Sequence, residues 1–190
     1  NISLFRSLRE LLAEKQLDAV CIATPPSTHE SLVLEALLAG AHVFVEKPLA
    51  LSVAQCDRIL SAARRCQRKV MVDHTFVYNP AVEYLAQQIG SGGLGKLLYY
   101  DSVRVNLGGY QMGADVVWDL APHDLSILDY LLRGKMPLSI SATGASHFRQ
   151  GHANLAYCHL QYADDFVAHL HLNWVAPVKV RAIMVGGTQS

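Results

Sequence analysis

Two short stretches carry residue types that could do chemistry. In Ala41-His42-Val43-Phe44-Val45-Glu46-Lys47-Pro48 an apolar run ends abruptly in a carboxylate, an ammonium and a proline. Ligands of open parallel sheets sit in the crevice beyond the carboxyl ends of the strands, which is where Lys47 falls. Pro48 biases Lys47 toward an extended backbone and so helps to aim its ammonium. The second stretch is Trp118-Asp119-Leu120-Ala121-Pro122-His123-Asp124, followed by Leu125, Leu128, Leu131 and Leu132 at helical spacing. Pro122 suits the first turn of a helix, which places His123 in that opening turn and off the apolar stripe. An imidazole can take a proton near pH 7, and Asp119, four residues earlier, can orient it. Both stretches also have a plain structural use. Lys47 could be a solvated residue of a strand–helix turn, and Asp119 and Asp124 could simply answer the helix dipole.

The elements that must position these residues are legible in the pattern. A helical stripe spans 3–16, and Ala19-Val20-Cys21-Ile22-Ala23 reads as a buried strand. Thr24 to His29 forms the turn at its end. A helix from about Thr28 to Ala39 stops at Gly40, the expected left-handed cap. Ser52 caps a further helix to about Cys66, and Val70-Met71-Val72 is another strand. This alternation is the pattern of βαβ units and of an α/β, doubly wound parallel sheet.

The texture changes after Asp73, and the boundary is placed at residues 76/77: 1–76 is one domain and 77–190 another. Asn79-Pro80 opens a helix to Ile89, followed by a glycine-rich break at 90–95. Strands are expected over 97–107, 140–148, 155–162, 166–174 and 179–185, with a helix over 122–132. That predicts an α+β domain with a mostly antiparallel open sheet.

Composition narrows the classes. The 190 residues are 51% hydrophobic, with 16 basic and 16 acidic side chains, and this balance offers no footprint for a nucleic acid or an anionic membrane. The basic cluster Arg64, Arg65, Arg68 and Lys69 lies at a helix end, where cations favour the dipole. No stretch reaches the length of a membrane span. Four cysteines without pairing or metal spacing point to free thiols in a reducing, cytoplasmic setting.

Taken together, Glu46-Lys47-Pro48 after an apolar strand and Asp119-x-x-x-His123 in a second domain resemble the Gfo/Idh/MocA oxidoreductases. Thr24-Pro25 with His29, Asn79-Pro80-Ala81-Val82, Trp174 to Arg181 and Gly186-Gly187-Thr188 extend the likeness over nearly the whole chain. The form around Trp118 to Asp124 is similar to members that oxidise sugars attached to nucleotides. The resemblance implies the carboxyl-terminal part of a Rossmann-like sheet, with NAD or NADP as cofactor. It further implies that Lys47 hydrogen-bonds the reacting oxygen, that His123 takes the hydroxyl proton, and that Asp119 orients His123 or meets substrate. Thr24, Pro25, His29, Glu46, Lys47, Pro48 and His74 would line the cofactor. A homo-oligomer formed through the second-domain sheet is also implied.

Missing from these residues is the glycine-rich phosphate turn, so the segment alone is expected to be a poor dehydrogenase. Arg104, Asn106 and Tyr110 could meet substrate hydroxyls or phosphates, or could be sheet edge and loop. His74 and Thr75 end a strand, with a cofactor contact and a capping role both open. His169 and His171 share a strand face as a two-histidine metal site would, but no third ligand stands near, so no metal is expected. With Trp174 they would form a half-polar face. Trp118 is core or cleft wall. The alternatives to an oxidoreductase acting on a sugar or nucleotide sugar are a ligand-binding or regulatory protein that lost catalysis, and redox-assisted glycoside cleavage.

Overall fold

Residues 2–107, 115–148 and 151–189 are described by the computed structural model of the chain. It divides into two units, Asn1–Asp73 and His74–Ser190.

In the first unit β1 (Ala19–Ile22), β2 (His42–Val45) and β3 (Val70–Val72) pair in parallel in that order. Helix α1 (Leu8–Glu14) precedes them, and α2 (His29–Leu38) and α3 (Val53–Arg65) connect them. Serine caps fix two of the helices: Ser7 Oγ accepts from the Glu10 N–H, and Ser52 Oγ from the Gln55 N–H. The cap at Ser7 makes α1 shorter than the 3–16 helix expected. Gly40, at φ +85°, turns the chain out of α2, as the pattern required. The core is aliphatic: Val33, Leu37, Val43, Val45 and Ile59 are nearly or wholly buried. Each such side chain contributes about 1.5–3 kcal/mol relative to remaining in water.

The second unit holds α4 (Pro80–Gly90), α5 (Val116–Leu132) and a five-stranded sheet. Its strands are β4 (Leu97–Leu107), β5 (Ser139–Ala145), β6 (Leu155–Gln161), β7 (Val167–Asn173) and β8 (Val175–Gly187), in the order β5-β6-β7-β4-β8. All neighbours are antiparallel except β4 and β7. One face packs under α4 and α5 through Tyr100, Leu128, Leu131, Leu160, Leu170 and Leu172. Strand β8 starts four residues before the 179–185 segment expected from sequence, because it is an edge strand. Pro177, which withholds a donor, is tolerated there. Gly187 is required by a close approach: a Cβ there would collide with the Leu94 carbonyl.

Candidate functional site

In the first unit the parallel strands present their carboxyl ends along one edge. Two backbone bonds carry the ladder a residue past β2 and β3: Glu46 N–H donates to the Ile22 carbonyl (2.9 Å) and Asp73 N–H to that of Val45 (2.8 Å). The rim therefore displays Thr24, Glu46, Lys47 and Asp73. Lys47 N–H donates to the Glu46 carboxylate (3.2 Å), and the Lys47–Pro48 peptide is cis. The Thr24 and Thr28 hydroxyls lie 2.7 Å apart, and Thr28 donates to the Pro25 carbonyl. His29 is wholly buried, with its ring nitrogens 2.8 Å from the carbonyls of Pro48 and Thr24. It thus straps the turn after β1 to the turn after β2. A neutral imidazole has one N–H to donate, so it bonds one of these carbonyls and only approaches the other, and the wholly buried ring is turned inward rather than displayed on the rim. The reason is position: it opens α2 on that helix's buried face, beside Val33, Ala36 and Leu37.

The hydroxyl, carboxylate and ammonium on this rim suit the ribose and nicotinamide end of a dinucleotide. Pyrophosphate needs a glycine-rich turn at a helix start. Within residues 1–73 the sole glycine is Gly40, which ends α2. These residues fit one end of the cofactor.

In the second unit the residues singled out from the sequence, Asp119 and His123, lie on α5. Asp115 Oδ1 accepts from the N–H groups of Val117 and Trp118, so the helix starts at Val116. Pro122 is consequently inside the helix and His123 in its second turn, correcting the opening-turn placement. Asp119 and His123, four apart, share one helix face. Asp119 accepts a bond from Trp174 Nε1 (3.2 Å). The His123 ring meets Phe76 edge to face, with centroids 4.9 Å apart and planes at 81°. Asp124 points the other way, 1% exposed, and takes two bonds from Arg104, from Nε (2.8 Å) and Nη2 (2.9 Å). Burial pushes the Asp124 carboxyl up from the usual range, against the downward pull of Arg104 and then Arg181. Tyr100 donates to the Asp124 carbonyl at 3.3 Å, and burial raises its phenol strongly.

Arg104, expected at substrate, is 5% exposed and gives Nε and Nη2 to Asp124. Alternation along β4 puts Tyr100, Ser102 and Arg104 on the helix-covered face. Asn106 shares that parity and is half-buried; Tyr110 lies outside the described residues. His74 is half-buried at the start of the 3-10 turn Thr75–Tyr78. Trp174 is 2% exposed and belongs to the core, not to the open sheet face where His169 and His171 stand. That face is aromatic: His159 stacks on His169 and Tyr157 on His171, each at 4.6 Å. Asp101 lies 3.9 Å from His169. Sequence reasoning did not single out Phe76, Tyr100 or the Arg104–Asp124 pair. An arginine at a core-facing strand position was the available signal, since it demands a buried carboxylate.

Comparison with known proteins agrees with this layout. Residues 1–74 match the model of the oxidoreductase family with NAD-binding Rossmann fold, and residues 82–190 match the GFO/IDH/MocA C-terminal domain. A UDP-N-acetylglucosamine 3-dehydrogenase of Acidithiobacillus ferrooxidans is 34% identical over 75% of this chain and 44% of its own length. The solved structure of UDP-N-acetylglucosamine 3-dehydrogenase GnnA from A. ferrooxidans superposes with a TM-score of 0.83 at 29% identity, over 97% of this chain and 56% of that one. The WlbA dehydrogenase of Bordetella pertussis, solved with NADH and UDP-GlcNAcA, shares the fold at a TM-score of 0.88 and 21% identity, over 97% and 57% of the two chains. This chain spans about half the length of these relatives. With both family models matched in order along it, the chain belongs to the Gfo/Idh/MocA oxidoreductases.

Proposed function

We propose that the protein of which these residues are part oxidises a secondary alcohol of a sugar or nucleotide sugar. NAD or NADP, when bound, accepts the hydride. Lys47 hydrogen-bonds the oxygen that loses its proton and disperses the charge that develops there. His123 accepts that proton. Asp119, braced by Trp174, keeps the catalytic face of α5 oriented. The observation that carries the reading is the Asp119/His123 pair one turn apart on a helix whose other face is pinned by a buried ion pair. A binding module needs no such arrangement. The kinship to a UDP-N-acetylglucosamine 3-dehydrogenase makes that nucleotide sugar the first to try.

The test is absorbance of the reduced nicotinamide while the complete protein meets UDP-N-acetylglucosamine and a sugar panel. Lys47→Ala should lower turnover about a hundredfold or more, and His123→Asn should remove the basic limb of the pH profile. A loss below tenfold at Lys47 would favour a ligand-binding or regulatory role. The 190-residue segment alone should bind NAD(H) far more weakly than the complete protein.

Two further readings belong here. The open sheet face, with Tyr99, Val180 and Met184 exposed, supports contact between copies of the protein; sedimentation tests it. Four free thiols support a cytoplasmic location, and among the described residues no helix is long and apolar enough to cross a membrane.

A further inference from the structure

We infer that Phe76, seated on the Arg104–Asp124 pair, is a positioning residue that fixes the orientation of the His123 imidazole. The inference rests on the reading of His123 as proton acceptor. Successive helix residues point about 100° apart, so locking Asp124 inward sets the direction of His123. The Arg104 guanidinium makes that lock bidentate and is itself nearly buried. Its carbon lies 4.7 Å from the Phe76 ring centroid, and that of Arg181 lies 5.7 Å away. The same ring meets the His123 imidazole edge to face at 4.9 Å. Phe76 therefore touches both the ion pair and the proton acceptor.

Its backbone is held as firmly. Val77 N–H donates to the His74 carbonyl (3.0 Å) and Asn79 N–H to that of Phe76 (3.1 Å), while Asn79 Oδ1 caps α4. A proton acceptor must be held within about 0.5 Å and 10–20° of its working geometry. An aromatic wall against the imidazole contributes to that restraint, because aromatic rings prefer edge-to-face or offset geometry to a direct sandwich. Arg104 and Asp124 are thus useful beyond packing: they set the rotation of α5 and give the wall its seat.

The experiment uses the complete protein, with NAD and UDP-N-acetylglucosamine as probe. The His123 ring resonance is assigned by its loss in His123→Asn. Phe76→Leu should move that resonance and lower kcat about a hundredfold, the cost of a misplaced reacting group, with KM within about twofold. Phe76→Tyr should restore both. The double variant R104M/D124L replaces the charges by apolar groups and so avoids an unpaired buried ion; it should also displace the resonance. Titrating cofactor sites separates slower chemistry from a smaller folded fraction. A resonance unmoved in Phe76→Leu, or a kcat that falls only with the number of sites, overturns the inference. Full activity of His123→Asn overturns the reading beneath it instead.

Discussion

The two units hold their chemical residues by different means. The first displays Thr24, Glu46 and Lys47 on backbone that has just left a parallel ladder, and the wholly buried His29 lies between two backbone carbonyls. The second displays Asp119 and His123 on a helix, and anchors that helix with charge against charge, Asp124 on Arg104. A strand end is fixed by its ladder. A helix lying on a sheet can roll, so its rotation needs a directional bond inside the interface. An ion pair supplies this, at the desolvation cost of two buried charges.

Substitutions that remove one anchor at a time sharpen this comparison. Both tryptophans, Trp118 and Trp174, lie in the second unit, so fluorescence reports that unit while circular dichroism reports both. The largest effect expected is at Asp124→Ala, which strands Arg104: about 3–5 kcal/mol lost from the fluorescence transition in urea. R104M/D124L should recover most of it. Next is Gly187→Ala, which forces a methyl into the Leu94 carbonyl and should cost about 1–3 kcal/mol in the same transition. His29→Leu should cost about 1–3 kcal/mol by leaving a buried carbonyl without its donor, visible in dichroism and silent in fluorescence. If His29→Leu proved as damaging as Asp124→Ala, the distinction between backbone and charge anchoring would fail.

The smallest effect is a pH dependence. Burial, and then the neighbouring His169, depress the pKa of His171. The unfolded chain therefore binds its proton more readily than the folded one. Stability from this group is present above its ordinary value near 6.5 and is lost as pH falls through the lower folded value. Urea midpoints by fluorescence should decline over that range, and His171→Gln should flatten the decline.

Legibility in the sequence followed the same division. β1, β2 and β3 are continuous apolar runs, and each run's end locates the rim, so Lys47 was found where polarity returns. Caps written into local sequence, at Ser52, Asn79 and Gly40, were equally readable. The second unit hid more because its partners are distant in sequence. Arg104 looked available to substrate until α5, 20 residues on, supplied Asp124. Trp174 looked like part of a sheet face, although it braces a carboxylate 55 residues earlier. Pro122 imitated a helix start because the true cap, Asp115, follows a glycine-rich segment without periodicity.

The strand order β5-β6-β7-β4-β8 bears on how the chain is made. β4 is flanked by β7 and β8, so Leu97–Leu107 finds neither neighbour until residues 167–187 exist. On a translating ribosome β1, β2 and β3 can pair with one another once Val72 emerges, whereas β4 must wait for β7 and β8. Long-range pairing of this kind is slow and leaves edges exposed meanwhile. Of the two sheets described, the one beneath the imidazole-bearing helix is therefore the more dependent on protection during synthesis.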